Sequence, residues 1–342
     1  MIKLFLSNLL SFFSFFYFFI YEKNFLKKYS SKNTKIISIG NLSFGGTGKT
    51  PMVSLISSIL NKKNITNSII SRGYKRLSSG TVVVSDGISL LGNIKNSGDE
   101  ALVLVKKNKE TPLVVGNKKK CCEVINKQFS SKAIIIDDGF QSHYIKKNIE
   151  IVLIDTSVPF DDYRLFPLGK LREPVSSLSR ADIVVFTKTN FINIEKRDVI
   201  DFVLPQINLE SQFVFYSEVV TKLFLYKNKS LKVFDFSSVS VPVVCVAGIA
   251  NNISFFDMVR GFGLDVCGKV FFEDHHNYTA DDINFIIKKL GELKVKTIIT
   301  TLKDFVKLEK MFPEIQIFVV DINHKIKKEG LFVDCLLNKI NN

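Results

Sequence analysis

The sequence contains no tryptophan and is rich in Lys, Asn, Ile and Phe, the composition of a gene with AT-rich codons. Its five cysteines, Cys121, Cys122, Cys245, Cys267 and Cys335, lack metal-ligand spacing, and the adjacent Cys121-Cys122 pair makes no CxxC site. An odd count with no framework points to reduced thiols in a cytoplasmic protein. No helical stretch carries a dense Lys/Arg face with interleaved aromatics, which argues against a nucleic-acid binder. No Asn-Lys-x-Asp run is present, which argues against a guanine-specific switch. There is no internal repeat and no low-complexity linker. No obligate protein partner is expected.

What is present supports a sizeable core. Hydrophobic residues make up 46% of the 342, enough for two ordinary domains. The net charge of +14 has two readings. One is compositional drift. The other is a basic surface for an anionic membrane or a phosphorylated partner.

Residues 1 to 20, MIKLFLSNLLSFFSFFYFFI, carry one charge, Lys3. A helix of that length covers about 30 Å, the depth of a bilayer core. No small-x-small cleavage site follows, so a signal peptide fits poorly. Lys3, Ser7, Ser11 and Ser14 fall on one helical face opposite Phe and Leu, which predicts a helix lying in the membrane surface. A membrane span and a buried core helix remain open. Lys23, Lys27, Lys28 and Lys32 follow and favour a cytoplasmic location for the rest of the chain.

From residue 35 short apolar runs alternate with helical stretches. Strands are expected at Lys35–Ile39, Ser68–Ser71, Val82–Val84, Leu113–Val115, Ala133–Ile136, Ile149–Ile154 and Ile183–Phe186. Helices are expected at Pro51–Leu60, Asp99–Lys107 and Lys118–Phe129. This rhythm predicts an α/β fold with a mostly parallel sheet, which the glycine-rich run at 43–50 makes phosphate-loop NTPase-like. Gln212–Lys232 breaks the rhythm and reads as a hairpin linker of two strands, Phe213–Val220 and Leu223–Tyr226. A second, smaller α/β unit follows, with strands at Val243–Ala247, Val266–Phe271, Thr297–Thr300 and Ile317–Val320. The expected division is a hydrophobic membrane-associated helix over 1–28, a phosphate-loop domain over 29–210, a two-stranded linker over 211–233 and a smaller α/β domain over 234–342.

Ser43-Phe44-Gly45-Gly46-Thr47-Gly48-Lys49-Thr50 follows a strand and opens a helix, the setting a phosphate-binding loop needs. The glycines let backbone N–H groups curl around phosphates, and the helix N-terminus adds its dipole. Lys49 is expected on the β- and γ-phosphates of ATP and Thr50 on Mg²⁺. The first glycine of the usual pattern is replaced by Ser43. Asp137 and Asp138 emerge from the apolar run Ala133–Ile136, where α/β proteins bind ligands, and are expected at Mg²⁺; capping a turn is the other reading.

These stretches resemble the tetraacyldisaccharide 4′-kinase family, the lipid A 4′-kinases of Gram-negative bacteria. The likeness runs through Gly40-Asn41-Leu42 and Gly45 to Pro51; Ser71-Arg72-Gly73-Tyr74; Gly98-Asp99-Glu100-Ala101; Asp137-Asp138-Gly139-Phe140-Gln141; Leu171-Arg172-Glu173-Pro174; Ala247-Gly248-Ile249; and Asp274-His275-His276-Asn277-Tyr278-Thr279. Two positions depart: Ser142 stands where the family often has His, and Leu302 stands where Thr-Glu-Lys-Asp is common.

The resemblance implies transfer of the γ-phosphoryl group of ATP to a lipid A disaccharide-1-phosphate, at the cytoplasmic face of the inner membrane. It implies Asp99 as a base assisted by His275 or His276, against the plainer reading of Asp99 as a helix cap. It sets Arg172 near the phosphates, against the reading of a surface ion pair. Arg72 is a further candidate for a substrate phosphate. Gly248 is expected in an anion-friendly wall or in tight packing. A membrane-docked ATPase or GTPase switch without a lipid acceptor is the alternative from another class.

Overall fold

The computed structural model describes residues 28–31, 33–191, 198–312 and 315–341. The expected membrane helix lies outside the described residues except for Lys28, which is exposed. Among the described residues no helix is long and apolar enough to cross a membrane.

The strands are β1 Lys35–Asn41, β2 Asn67–Ser71, β3 Val82–Asp86, β4 Pro112–Val115, β5 Ala133–Asp137, β6 Ile149–Asp155, β7 Ile183–Thr187, β8 Phe213–Lys227, β9 Ser230–Phe234, β10 Val243–Ala247, β11 Val266–Phe271, β12 Thr297–Thr301 and β13 Gln316–Ile326. The helices are α1 Lys49–Lys62, α2 Ile94–Ser97, α3 Asp99–Lys107, α4 Lys118–Gln128, α5 Asp198–Val203, α6 Asn252–Gly261, α7 Ala280–Leu293, α8 Leu302–Leu308 and α9 Glu329–Asn341. The strands form one sheet in the order β11-β10-β12-β13-β8-β7-β6-β1-β5-β2-β4-β3, with β9 paired to β8.

Most neighbours are parallel. Strands covered on both faces read as near-continuous apolar runs, and β5 and β6 are buried along their whole length with Asp137, Glu150 and Asp155 their only charged residues. Helix α1 places Met52, Val53, Ile56, Ile59 and Leu60 on one stripe, all buried in the core cluster that also holds Phe332 and Leu336 of α9. Each such side chain contributes roughly 1.5–3 kcal/mol by leaving water. β1 lies between β5 and β6, and Ile39 pairs with Asp137. The phosphate loop and the acidic strand end are therefore side by side at the carboxyl edge of the sheet.

The linker differs from expectation. Phe213–Val220 and Leu223–Tyr226 are not two strands but parts of the single 15-residue β8. Its first residues pair parallel with β7 and the remainder pair antiparallel with β13, so the sheet runs unbroken through both halves. Thr221-Lys222 has no glycine or proline to turn the chain. The hairpin comes later, where Asn228 and Lys229 both have positive φ (53° and 59°) between the paired Lys227 and Ser230. β13 also runs six residues beyond the expected Val320. Its polar second half, Asp321 to Lys325, hides strand character in the sequence, but it still pairs with β8 as far as Ile326–Ser217.

Candidate active site

The phosphate loop leaves β1 in an extended path that accounts for Ser43. Ser43 forms an antiparallel bridge with Leu171, Phe44 N–H donates to the Lys170 carbonyl at 2.8 Å, and Arg172 N–H donates to the Leu42 carbonyl. A residue held in a strand-like bridge has no need of glycine's left-handed freedom. Gly48 is the opposite case. Its φ is +92°, and a Cβ there would lie 2.5 Å from Nε2 of His324.

His324 is a site feature that the local sequence does not announce. Its Nε2–H donates to the Gly48 carbonyl at 2.9 Å, and its Nδ1 accepts from the Ser217 hydroxyl at 2.8 Å. Burial pushes its pKa down to about 4, against the opposing hydrogen bond to Gly48, so the ring is neutral. The second half of the chain thus grips the loop from beneath. Thr187 Oγ1 also donates to the Thr47 carbonyl at 3.1 Å.

Lys49, Asp138, Arg172 and Asn41 form one cluster. Lys49 Nζ lies 3.4 Å from Asp138 Oδ1 and donates to Asn41 Oδ1 at 3.2 Å. Arg172 meets both Asp138 oxygens, at 3.0 and 3.3 Å, and also donates to Asn41 Oδ1. This forked geometry suits guanidinium and carboxylate. Burial raises the Asp138 pKa, but Lys49 and Arg172 outweigh it and hold the carboxyl far below its usual range.

Asp137 differs from its neighbour. Burial, reinforced by the charge of Glu100, pushes its pKa up to about 7 against the pull of Lys49. Its Oδ1 is buried and has no hydrogen-bond partner among the described residues. Lys118 sits behind the pair, donating to the Asp138 carbonyl and to Ser142 Oγ, the latter at 2.9 Å. Burial pushes the Lys118 pKa down to about 8. Ser142, where the family often has His, is thereby a ligand of Lys118. His143 lies 3.6 Å from buried Glu173, beside Arg180.

Asp99 opens α3. Gly98, with φ of +82°, ends α2 and lets the chain turn directly into that helix; a Cβ at Gly98 would meet the Tyr74 carbonyl at 2.5 Å. Asp99 Oδ1 accepts from the Glu100 N–H, and Asp99 Oδ2 accepts from His275 Nδ1 at 2.8 Å. Lys303 Nζ contacts His275 Nε2 at 3.0 Å and Asp274 Oδ1 at 2.9 Å. An ammonium has no lone pair, so Nε2 must accept, and the imidazole then carries its proton on Nδ1 toward Asp99. Burial raises the Asp99 pKa, but the His275 bond and the charges of Lys303 and Lys307 carry it below the usual carboxylate range. His275 itself has a φ of +63°, uncommon for a non-glycine residue. Tyr74, Ile94, Gly98, Asp99, His275 and Asn277 surround a small cleft at this point.

His276 does not join Asp99. Its Nε2 donates to Asp282 Oδ2 at 2.9 Å, and its ring stacks on Phe272 with centroids 4.5 Å apart. It packs against the capping box that starts α7. Adjacent residues point apart, so only one histidine of the pair reaches the cleft.

Asp304 organises this end of the second half. It is fully buried and accepts from the Gly248 N–H, the Tyr278 hydroxyl and the Thr301 hydroxyl, with Lys307 at 3.1 Å. Gly248 therefore serves tight packing; its N–H is used internally rather than turned toward an anion. Leu302 is buried in the core of this half, at a position where the apolar side chain needs no partner. Arg72 is exposed.

The sequence pattern of the LpxK family, tetraacyldisaccharide-1-P 4′-kinase, matches residues 2–341. A tetraacyldisaccharide 4′-kinase of Halothermothrix orenii is 34% identical over 305 residues, covering 85% of this chain and 78% of that protein. One from Elusimicrobium minutum is 33% identical over 343 residues, covering 95% and 88%. A crystal structure of LpxK from Aquifex aeolicus in complex with ATP superposes with a TM-score of 0.78 at 26% identity, over 98% of each chain.

Proposed function

This chain belongs to the tetraacyldisaccharide 4′-kinase family, and from that premise we propose how its residues divide the work of the reaction. It is an ATP-dependent kinase that transfers the γ-phosphoryl group to the 4′-hydroxyl of a tetraacyldisaccharide 1-phosphate, a lipid A precursor. A bond forms between the 4′-oxygen and γ-phosphorus, the bond to the β–γ bridging oxygen breaks, and ADP leaves. The hydroxyl proton passes to Asp99.

The backbone from Ser43 to Thr50 cradles the phosphates, and Lys49 neutralises their charge. Arg172 stands beside Lys49 on Asp138 and is available to the charge that develops on the transferring group. The residues fit Mg²⁺: Asp137 Oδ1 is a buried oxygen without a partner, and Thr50 opens the neighbouring helix. Magnesium commonly takes one or two protein oxygens and completes its shell with phosphates and water. Asp137 and Thr50 would hold it, with Asp138 holding Lys49 and Arg172. When bound, the ion neutralises charge on the β- and γ-phosphates.

The observation that carries the acceptor half of this reading is the Lys303–His275–Asp99 chain at the edge of the cleft. His275 orients the Asp99 carboxylate toward the acceptor hydroxyl, and Lys303 sets the tautomer. Phosphoryl transfer needs placement and charge neutralisation more than covalent participation, and this arrangement supplies both.

The acceptor's acyl chains place the work at a membrane surface. The apolar residues 1–20 and the lysines after them dock the enzyme there, with the ATP site on the cytoplasmic side. The functional division is a nucleotide half over 29–210 and a smaller half over 234–342 that contributes His275 and Lys303.

The test is phosphoryl transfer from labelled ATP to disaccharide-1-phosphate lipid in detergent. Lys49→Ala abolishes transfer, and wild-type turnover depends on the acceptor. ATP hydrolysis at the same rate without acceptor would favour a membrane-docked switch and overturn the kinase assignment.

A further inference from the structure

Beside the acceptor cleft lies a surface that the catalytic reading does not use. Ile88 is 94% exposed and Leu77 81%, and Leu90 and Leu91 are each more than half exposed. Contiguous exposed apolar side chains mark an interaction site.

These side chains are held outward by a built loop. Asp86 Oδ1 accepts from the N–H groups of Ile88 and Ser89 at 2.8 and 2.7 Å. Ser85 bridges to Leu90, and the N–H groups of Leu91 and Gly92 both donate to the Val84 carbonyl. Leu77 N–H donates to the Lys95 carbonyl at 2.7 Å, which joins the 73–80 segment to the same surface. Leu91 stands three residues and Ile88 six residues before Ile94, which lines the cleft, so along the chain they lie within roughly 10 Å and roughly 20 Å of it.

The charge is one-sided. Between residues 72 and 98 the bases are Arg72, Lys75, Arg76 and Lys95, and the sole acid is Asp86. Arg72, Lys75 and Lys95 are exposed. Asp86 is occupied by the loop's own N–H groups. Exposed apolar tips within a segment of net positive charge match a bilayer with anionic headgroups: the tips enter the acyl boundary and the cations meet phosphates.

We propose that the 86–92 loop, with Leu77, is a membrane-docking surface that inserts Ile88, Leu90 and Leu91 into an anionic bilayer beside the acceptor cleft. This contact is separate from residues 1–20, and it rests on the reading of a lipid acceptor. It orients the cleft toward the bilayer plane, so the acceptor headgroup reaches Asp99 without leaving the membrane.

The test uses the full chain with an environment-sensitive fluorophore on Ile88→Cys or Leu91→Cys. Cys267 is replaced by Ser, since the other four cysteines are buried. Phosphatidylglycerol vesicles without acceptor lipid shift the label's emission to the blue at both positions. A label on Ile253→Cys, also well exposed, does not shift. Vesicle co-sedimentation with no shift at 88 or 91 overturns the proposal. A shift that appears without vesicles and grows with protein concentration also overturns it, in favour of a second copy of the chain.

In the unlabelled enzyme, Ile88→Asp and Leu91→Asp each lower kcat/KM for vesicle-borne acceptor by about tenfold. Activity on detergent-dispersed acceptor and the KM for ATP stay unchanged. Equal losses in vesicles and detergent overturn the proposal. A wild-type enzyme inactive on the acceptor in detergent counts against the kinase reading, whereas normal transfer with unshifted labels counts against docking alone.

Discussion

Nδ1 of His275 lies 2.8 Å from Oδ2 of Asp99, although the two residues are 176 positions apart, one at the start of α3 and the other in the loop after β11. A carboxylate at a helix start is usually a cap, and its pKa alone makes it a weak base. The histidine holds the carboxylate in one orientation and in its ionised form, so on the proposed reading Asp99 acts through placement rather than through basicity. Asp99→Asn and His275→Ala are each expected to lower kcat by roughly 10²–10⁴-fold with little change in ATP KM. His276→Ala, which removes a contact with Asp282 instead, is expected to lower stability while leaving kcat within a few-fold. Steady-state kinetics beside thermal unfolding of the three variants checks this.

Lys303 sets which nitrogen of His275 carries the proton. Lys303→Met removes the donor to Nε2 and frees the ring to adopt the other tautomer, which cannot donate to Asp99. The expected result is a fall in kcat of about tenfold or more, with Lys303→Arg recovering part of it. Equal activity for Met and wild type would count against the tautomer role.

Arg172 is engaged through two nitrogens on two oxygens of Asp138. Lysine cannot reproduce that fork. Arg172→Lys is therefore expected to lose most of the activity lost by Arg172→Ala, with the loss in kcat rather than in acceptor KM.

His324 makes the loop's foundation sensitive to acid. Its ring is packed with Gly48 and Ser217 and feels the charges of Lys107, Lys188 and Asp155. The folded pKa is depressed from 6.5 to about 4, so the unfolded chain takes up the proton first. The contribution is fully present above pH about 6.5 and is lost as pH falls toward 4, to a limit of about 3 kcal/mol. Thermal midpoints measured from pH 7 to pH 4 should fall more steeply for wild type than for His324→Asn. Parallel curves would remove His324 as the source.

Gly48→Ala meets two obstacles, a positive φ and the His324 ring. It is expected to raise ATP KM by an order of magnitude or more and to lower the thermal midpoint. Adding His324→Ala relieves the collision but not the backbone strain, so nucleotide binding recovers only in part. Nucleotide titration of the single and double variants checks it.

Much of this protein is written locally. The phosphate loop, the alternation of strands and helices, the acidic end of β5 and the start of α3 depend on neighbours in sequence, and each follows from glycine freedom, apolar periodicity or capping. What escaped local reading involves distant pairings. Thr221-Lys222 resembles a break, yet β8 runs through it because β13 pairs with it from Ser217 to Tyr226. The polar end of β13 has no apolar run, so His324 was invisible as a partner of Gly48. Ser43 departs from the usual glycine because Leu171, 128 residues away, holds it in an antiparallel bridge.

The sequence by itself determined that a phosphate loop exists, that Asp99 opens a helix and that a histidine pair follows a strand. Only the tertiary structure decided that His275 rather than His276 meets Asp99, that Asp138 holds Lys49 and Arg172 while Asp137 keeps an oxygen free, and that Lys303 completes the chain. The reason is physical. Local motifs are set by the torsions and spacing of a few residues, whereas hydrogen-bond partners and desolvation are set by what the fold brings into contact across the sheet.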